Sequence, residues 1–143
     1  MASLYNSEGY FSPTEYEALK RVEREERAAE KSAAFRPIVY ICSPYSHGCI
    51  NTNIENARRY SRFAVDKHYL PITPHIYFTQ FMDDTVFEER ETAVFMNFVL
   101  MSKCVELWVF GDTISAGMKA EIERAERKHM KIRYFTEELE EKE

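Results

Sequence analysis

The 143-residue sequence predicts an α/β fold, a doubly wound, mostly parallel sheet with an added N-terminal helix. Three observations carry that expectation. Short apolar runs, the first rich in β-branched residues, alternate with segments of helical period in the order β, α, β, α, β, α, β. Parallel strands with helices on both faces satisfy such alternation most economically. A hydrophobic share of 45%, with 14% aromatic, fits one soluble domain with a single sizeable core.

The first helix precedes this alternation. SPTEYEALKRVEREERAAEKSAA opens with Ser12 as N-cap, Pro13 at the first helical position and Glu15 closing a capping box. Tyr16, Leu19 and Val22 make a thin apolar stripe, and the rest is charge of both signs. Residues 1–36 read as a charged helical extension, either solvated and laced with i,i+4 pairs or serving as an oligomer contact.

The main domain, residues 37–136, starts with IVYICS, a buried strand. After the loop SPYSHGCINTN, the helix IENARRYSRFAVDK places Ile54, Ala57, Ser61, Ala64 and Val65 on one face, with Arg59, Arg62 and Lys67 pointing away and Arg58 at the border. YLPITP is a second strand. Thr85 and Glu88 form a capping box for a helix running to about Lys103, whose later part, AVFMNFVLM, is apolar nearly all round and is expected to be buried. VELWVF is a third strand, Gly111 and Asp112 a turn, SAGMKAEIERA a helix with Ser115 as N-cap, and KIRYF the last strand. Residues 137–143 are expected to form a frayed acidic end.

Composition excludes several classes of function. A formal charge of −5 argues against a basic nucleic-acid footprint. No apolar run approaches the roughly 20 residues of a membrane span, and no secretory leader is expected from the N-terminal residues. Three cysteines, Cys42, Cys49 and Cys104, read as reduced thiols in a cytoplasm. They and the four histidines make no zinc spacing, so neither a metal nor a cofactor is expected.

In a Rossmann-like or flavodoxin-like sheet, ligands bind outside the carboxyl ends of the strands. Three loops fall there: Ser43 to Asn53, Pro74 to Asp84, and Gly111 to Gly117. Ser43, Tyr45, Ser46 and Gly48 can hold an anion beside a helix N-terminus, or can be ordinary turn chemistry. His75, by itself, reads as structural or catalytic. Gly117 permits close approach to the first turn of the last helix. In that helix Met118, Ile122 and Ala125 define the buried stripe, and Glu121 sits about 40° from Ala125, at the stripe's edge. Glu121 is therefore either a surface group pairing with Arg124 or a carboxylate held at the ligand edge as a nucleophile.

VYICSPYS, NIENARRY, PITPH, SKCVELWVFGD and SAGMKAEIERA, in this order and spacing, resemble the nucleoside 2-deoxyribosyltransferase-like superfamily, and within it a small bacterial and phage branch of largely uncharacterised domains. The resemblance covers roughly Pro37 to Phe135. It implies N-glycosidic cleavage or base exchange on a 2'-deoxynucleoside or its 5'-monophosphate, as in the deoxyribosyltransferases and the 2'-deoxynucleoside 5'-phosphate N-hydrolases. On that basis Glu121 attacks C1' and Ser115 contacts phosphate or sugar, as part of a Ser-x-Gly-x-x-x-Glu arrangement completed by Gly117. Ser43, Tyr45, Ser46 and Gly48 face sugar, phosphate or base, and His75, Asp112 and Met118 are further candidate contacts. The characterised relatives carry two aspartates, eight residues apart, which are replaced here by Asn97 and Val105. Asn97 can hydrogen-bond sugar or base but cannot deliver a proton as a carboxylic acid does. The substitution leaves open Asp84, Glu88, Glu89 or His75 as the acid, and motivates the alternative of a non-catalytic module that binds a nucleotide or nucleotide-derived signal. A third alternative is a structural partner acting through the charged helix. By the same resemblance a homo-oligomer is expected, with Met118 and the N-terminal helix as contributors.

Overall fold

The computed structural model describes residues 13–143 and divides into two units, Met1–Phe35 and Arg36–Glu143. The expected N-cap, Ser12, lies outside the described residues. In the first unit, α1 (Pro13–Ala34) carries Glu15 in its first turn and pairs Glu23 with Lys20 at 3.8 Å and with Arg27 at 3.5 Å. Leu19 and Val22 of its thin stripe are exposed.

The second unit is built on a four-stranded, fully parallel sheet in the order β2-β1-β3-β4, from β1 (Ile38–Cys42), β2 (Leu70–Ile72), β3 (Glu106–Phe110) and β4 (Lys131–Phe135). Strand side chains alternate between faces, and β1 uses this to separate two cores. Val39 and Ile41 join Trp108, Phe110 and Phe135 under α2 (Ile50–Asp66), which supplies Tyr60 and Ala64. Tyr40 and Cys42 face the other way, with Leu107 and Val109, toward α4 (Phe87–Met101) and α5 (Ala116–Arg127), which contribute Met101, Met118 and Ala125. Helices thus cover both faces, and the chain reverses direction across the sheet between β1 and β3.

Several expectations are corrected. Helix α2 begins at Ile50, four residues before Ile54, because Asn53 Nδ2 donates to the carbonyls of Tyr45 and His47, both at 2.7 Å, and ties the loop onto the first turn. After β2, Pro74 starts a short α3 (Pro74–Tyr77), continued as a 3-10 turn over Phe78–Gln80. The sequence reading had only a loop there. No capping box forms at α4: its N-cap is Val86, and Thr85 instead donates from its amide (2.9 Å) and hydroxyl (2.6 Å) to Asp83. Nor is the apolar part of α4 buried. Met101 reaches the core and Phe98 packs against it, while Phe95 is 68% exposed and Val94 and Val99 are exposed with it, because a helix lying on a sheet buries one face only.

The acidic end is not frayed. Leu139, at φ 70°, turns the chain back and packs on the aromatic cluster, and Glu141 bridges Phe135. Arg133 donates to both carboxylate oxygens of Glu141 at 2.8 Å, a bidentate pair.

Candidate functional site

At the carboxyl edge of β1 and β3 a cavity of about 440 Å³ opens on the α4 and α5 side of the sheet. Its position follows from the topology: β1 and β3 are neighbours whose connections leave in opposite directions, which parts the loops above them. A second hollow at this edge, between Ser43, Asn56, Tyr60 and Glu137, holds about 20 Å³, room for one water.

Glu121 lies in the wall of the larger cavity, on the second turn of α5. Ser115 caps that helix, its hydroxyl accepting from the amide of Met118 at 3.3 Å, and no atom crowds the space where a side chain on Gly117 would stand. The first turn of α5 is thereby held open toward the cavity. Glu121 does not pair with Arg124, whose guanidinium lies 5.2 Å from the centre of the Phe98 ring. Instead the Tyr40 hydroxyl donates to Glu121 Oε1 at 3.0 Å. Burial lifts the Glu121 carboxyl to about 7, against the downward pull of hydrogen bonds from the Cys42 thiol and the Tyr40 hydroxyl. Burial, and then the nearby Glu121 carboxylate, raise the Tyr40 phenol and the Cys42 thiol well above their ordinary values, so both remain protonated donors. The result is a carboxyl group poised near neutrality and aimed by the Tyr40 hydroxyl, while the Cys42 thiol donates to the Met118 carbonyl at 3.9 Å.

Across the cavity His75, in the one-turn α3, places Nε2 3.0 Å from the Ser43 hydroxyl. Burial lowers this imidazole to about 4, so the ring is neutral at pH 7. The Tyr45 ring meets it edge-on, with centroids 6.5 Å apart. From α4, Arg90, Val94 and Asn97 line the same wall, and Asn97 Oδ1 is buried without a hydrogen-bond partner. An orphaned buried acceptor costs about 1–3 kcal/mol.

Of the residues singled out from the sequence, the cavity brings together Ser43, Tyr45, Ser46, His75, Asn97, Ser115, Gly117, Met118 and Glu121. Gly48 and Asp112 are not part of its lining. Gly48 serves the turn, at φ 83°, and Asp112 accepts from Lys142 Nζ at 2.8 Å on the far side of the edge. Val105 is also remote: its amide donates to Ile38 at the opposite, amino edge of the sheet, and it lines a separate hollow with Met101 and Lys128. Of Asn97 and Val105, only Asn97 bears on the cavity. Sequence reasoning missed Tyr40, Cys42 and Arg90. The signal for Tyr40 was present, since a tyrosine in an otherwise apolar buried strand needs a partner for its hydroxyl.

Among the described residues no three His, Cys, Asp or Glu side chains stand together as metal ligands, and no helix is long and apolar enough to cross a membrane. Comparison with known folds finds a solved 2-deoxyribosyltransferase from the psychrotolerant bacterium Bacillus psychrosaccharolyticus, with a TM-score of 0.58 over 69% of this chain and 72% of that one. At 13% identity the likeness is one of fold. No curated protein matches the sequence. Residues 37–135, which span the whole sheet and every wall of the cavity, match a family described as a domain of unknown function, and the chain belongs to that family, DUF7768.

Proposed function

We propose that the protein breaks the N-glycosidic bond of a nucleoside or nucleotide, with Glu121 as nucleophile, the class of substrate implied by the resemblance being a 2'-deoxynucleoside or its 5'-monophosphate. The observation that carries this reading is the Tyr40-held Glu121 carboxyl in a cavity at the carboxyl edge of the sheet. Glycosidic cleavage passes through an oxocarbenium-like transition state, which a carboxylate on the anomeric face stabilises and then traps as an ester. Tyr40 keeps Glu121 from turning away, and the opened first turn of α5 lets sugar approach its backbone. Ser43, Tyr45, Ser46, Ser115 and Met118 complete the proposed walls around the substrate.

The test is release of free base, followed by chromatography, from a panel of deoxynucleosides and their monophosphates. Glu121→Gln is expected to abolish it, and release that survives this change would sink the assignment. An added acceptor base separates transfer from hydrolysis. A second reading, a non-catalytic nucleotide-binding module, is favoured by Asn97 standing where an acid is expected. Tight binding of the same panel without turnover would support it.

A further inference from the structure

Besides Glu121, the cavity lining holds a single carboxyl group, Asp84, so a leaving base finds little acid there. Asn97, on the α4 wall, has no acidic proton to give. The His75 ring is neutral at pH 7 and directs Nε2 at Ser43. Tyr40 directs its hydrogen to Glu121, the Cys42 thiol donates to the Met118 carbonyl at 3.9 Å, and burial makes both hold their protons tightly. Asp84 and His47 stand at the mouth, where Asp84 is shared with a wide outer hollow that also holds Asp83 and Glu89. A neutral nucleobase leaves as an anion unless it is protonated. A base whose glycosidic nitrogen is already quaternary leaves neutral and needs no acid.

We infer that the cavity is built for N-glycosides whose leaving nitrogen already carries the positive charge, a pyridinium carboxamide nucleoside or nucleotide of the nicotinamide type. The inference rests on Glu121 as nucleophile and names the leaving group that this nucleophile serves. Three features converge on it. The cation finds Glu121 inside and an acidic mouth outside, and its charge favours the ionised carboxyl, so the substrate activates its own nucleophile. Asn97 lies on the cavity wall, and its side-chain amide, which can both donate and accept, matches a carboxamide in kind. Arg90 lies seven residues before Asn97 on the same helix wall, about 10 Å along the axis, and makes no ion pair among the described residues, which leaves it open to a phosphate.

The chemistry balances within the site. A carboxylate oxygen of Glu121 bonds to C1', the bond from C1' to the ring nitrogen breaks, and its electron pair returns to the ring, discharging the pyridinium to neutral nicotinamide. Water then adds to C1', the ester bond to Glu121 breaks, and one proton of that water passes to solvent.

Nicotinamide riboside, nicotinamide mononucleotide, deoxyadenosine, deoxycytidine and their monophosphates are incubated with the full chain, and free base is followed by chromatography against an enzyme-free control. Nicotinamide release is expected to exceed release of any neutral base at least ~10-fold. The riboside and mononucleotide arms show whether Arg90 engages a phosphate. Asn97→Asp, which adds an acid, should shift the preference toward neutral bases by a similar factor. Asn97→Ala, which removes the amide without adding charge, should weaken product inhibition by nicotinamide, and this readout serves if the aspartate variant melts early. Neutral bases leaving as fast as nicotinamide, or a preference unmoved by Asn97→Asp, would overturn the inference. If Glu121→Gln stops neutral-base release and nicotinamide is never released, this inference fails and the glycosidase reading stands. If release survives Glu121→Gln, that reading fails too.

Discussion

The two faces of β1 do opposite work. Toward α2, Val39 and Ile41 enter a filled aromatic wedge in which Tyr60 stacks on Phe110 at 4.2 Å and Phe110 on Phe135 at 5.0 Å, with Trp108 beside them. Toward α5, the Tyr40 hydroxyl donates to the Glu121 carboxyl and the Cys42 thiol to the Met118 carbonyl, beside an open cavity. One face is packed as a stabilising core. The other holds ionisable groups in and beside the wall of the cavity, partly or wholly out of water, which lowers stability. A single pleated strand therefore supplies both the anchor and the site, and each can be perturbed apart from the other.

The largest effect is expected at the proposed nucleophile. Glu121→Gln should lower base release by roughly 10³-fold or more while leaving the melting transition cooperative, since only one atom changes. On the aromatic face the pattern reverses. Trp108→Ala should cost about 3–5 kcal/mol in denaturant unfolding, because a large side chain is removed from a close-packed cluster.

Stability against pH sharpens the comparison further. Glu121 ionises near 4.5 when unfolded and near 7 when folded, so the native state loses stability as pH rises from about 4.5 to about 7. Glu121→Gln should remove that loss, making the variant more stable than the parent by up to about 3 kcal/mol at pH 8 and by little at pH 4. On the proposed mechanism base release runs the other way, rising with pH through about 7 as Glu121 ionises. His75 acts in a different window. It titrates near 6.5 unfolded and about 4 folded, so stability falls as pH drops from about 6.5 to about 4. Both effects belong to the cavity face, and mutations in the aromatic wedge should leave the two windows where they are.

Smaller changes follow. Tyr40→Phe keeps the ring in place and removes one hydrogen bond to Glu121, at about 1 kcal/mol of stability, and should move the pH midpoint of base release upward. Phe95→Ser, on the outward face of α4, should change unfolding free energy by less than about 0.5 kcal/mol. A larger loss would show that a partner covers that face in solution, and sedimentation of the variant beside the parent would report it.

Much of the scaffold was legible in the sequence because its signals are local. The buried runs of β1 and β3, the strand KIRYF of β4, the Ser115 cap and the position of Glu121 beside the stripe of Met118 and Ala125 depend on residues a few places apart. The missed features are all non-local or in competition. Thr85 and Glu88 offered a capping box, but Asp83 lies nearer to Thr85 and captured its donors. The end of the chain looked like solvated charge until Arg133, from β4, gave Glu141 a bidentate partner. Helix α4 looked buried because periodicity records the polarity of a face but not whether anything lies against it.

The sequence alone determined the order of strands and helices, the ligand edge and the candidate carboxylate, since alternation, caps and helical spacing are properties of neighbours along the chain. Only the tertiary structure decided what Glu121 is. Its partner is Tyr40, 81 residues away, rather than Arg124 three residues on, and its burial comes from a sheet and two helices closing around it. The same closure placed Asn97 in the cavity and Val105 at the opposite edge. Sequence counts residues, whereas the environment that sets a pKa or supplies a hydrogen-bond partner depends on distance in space.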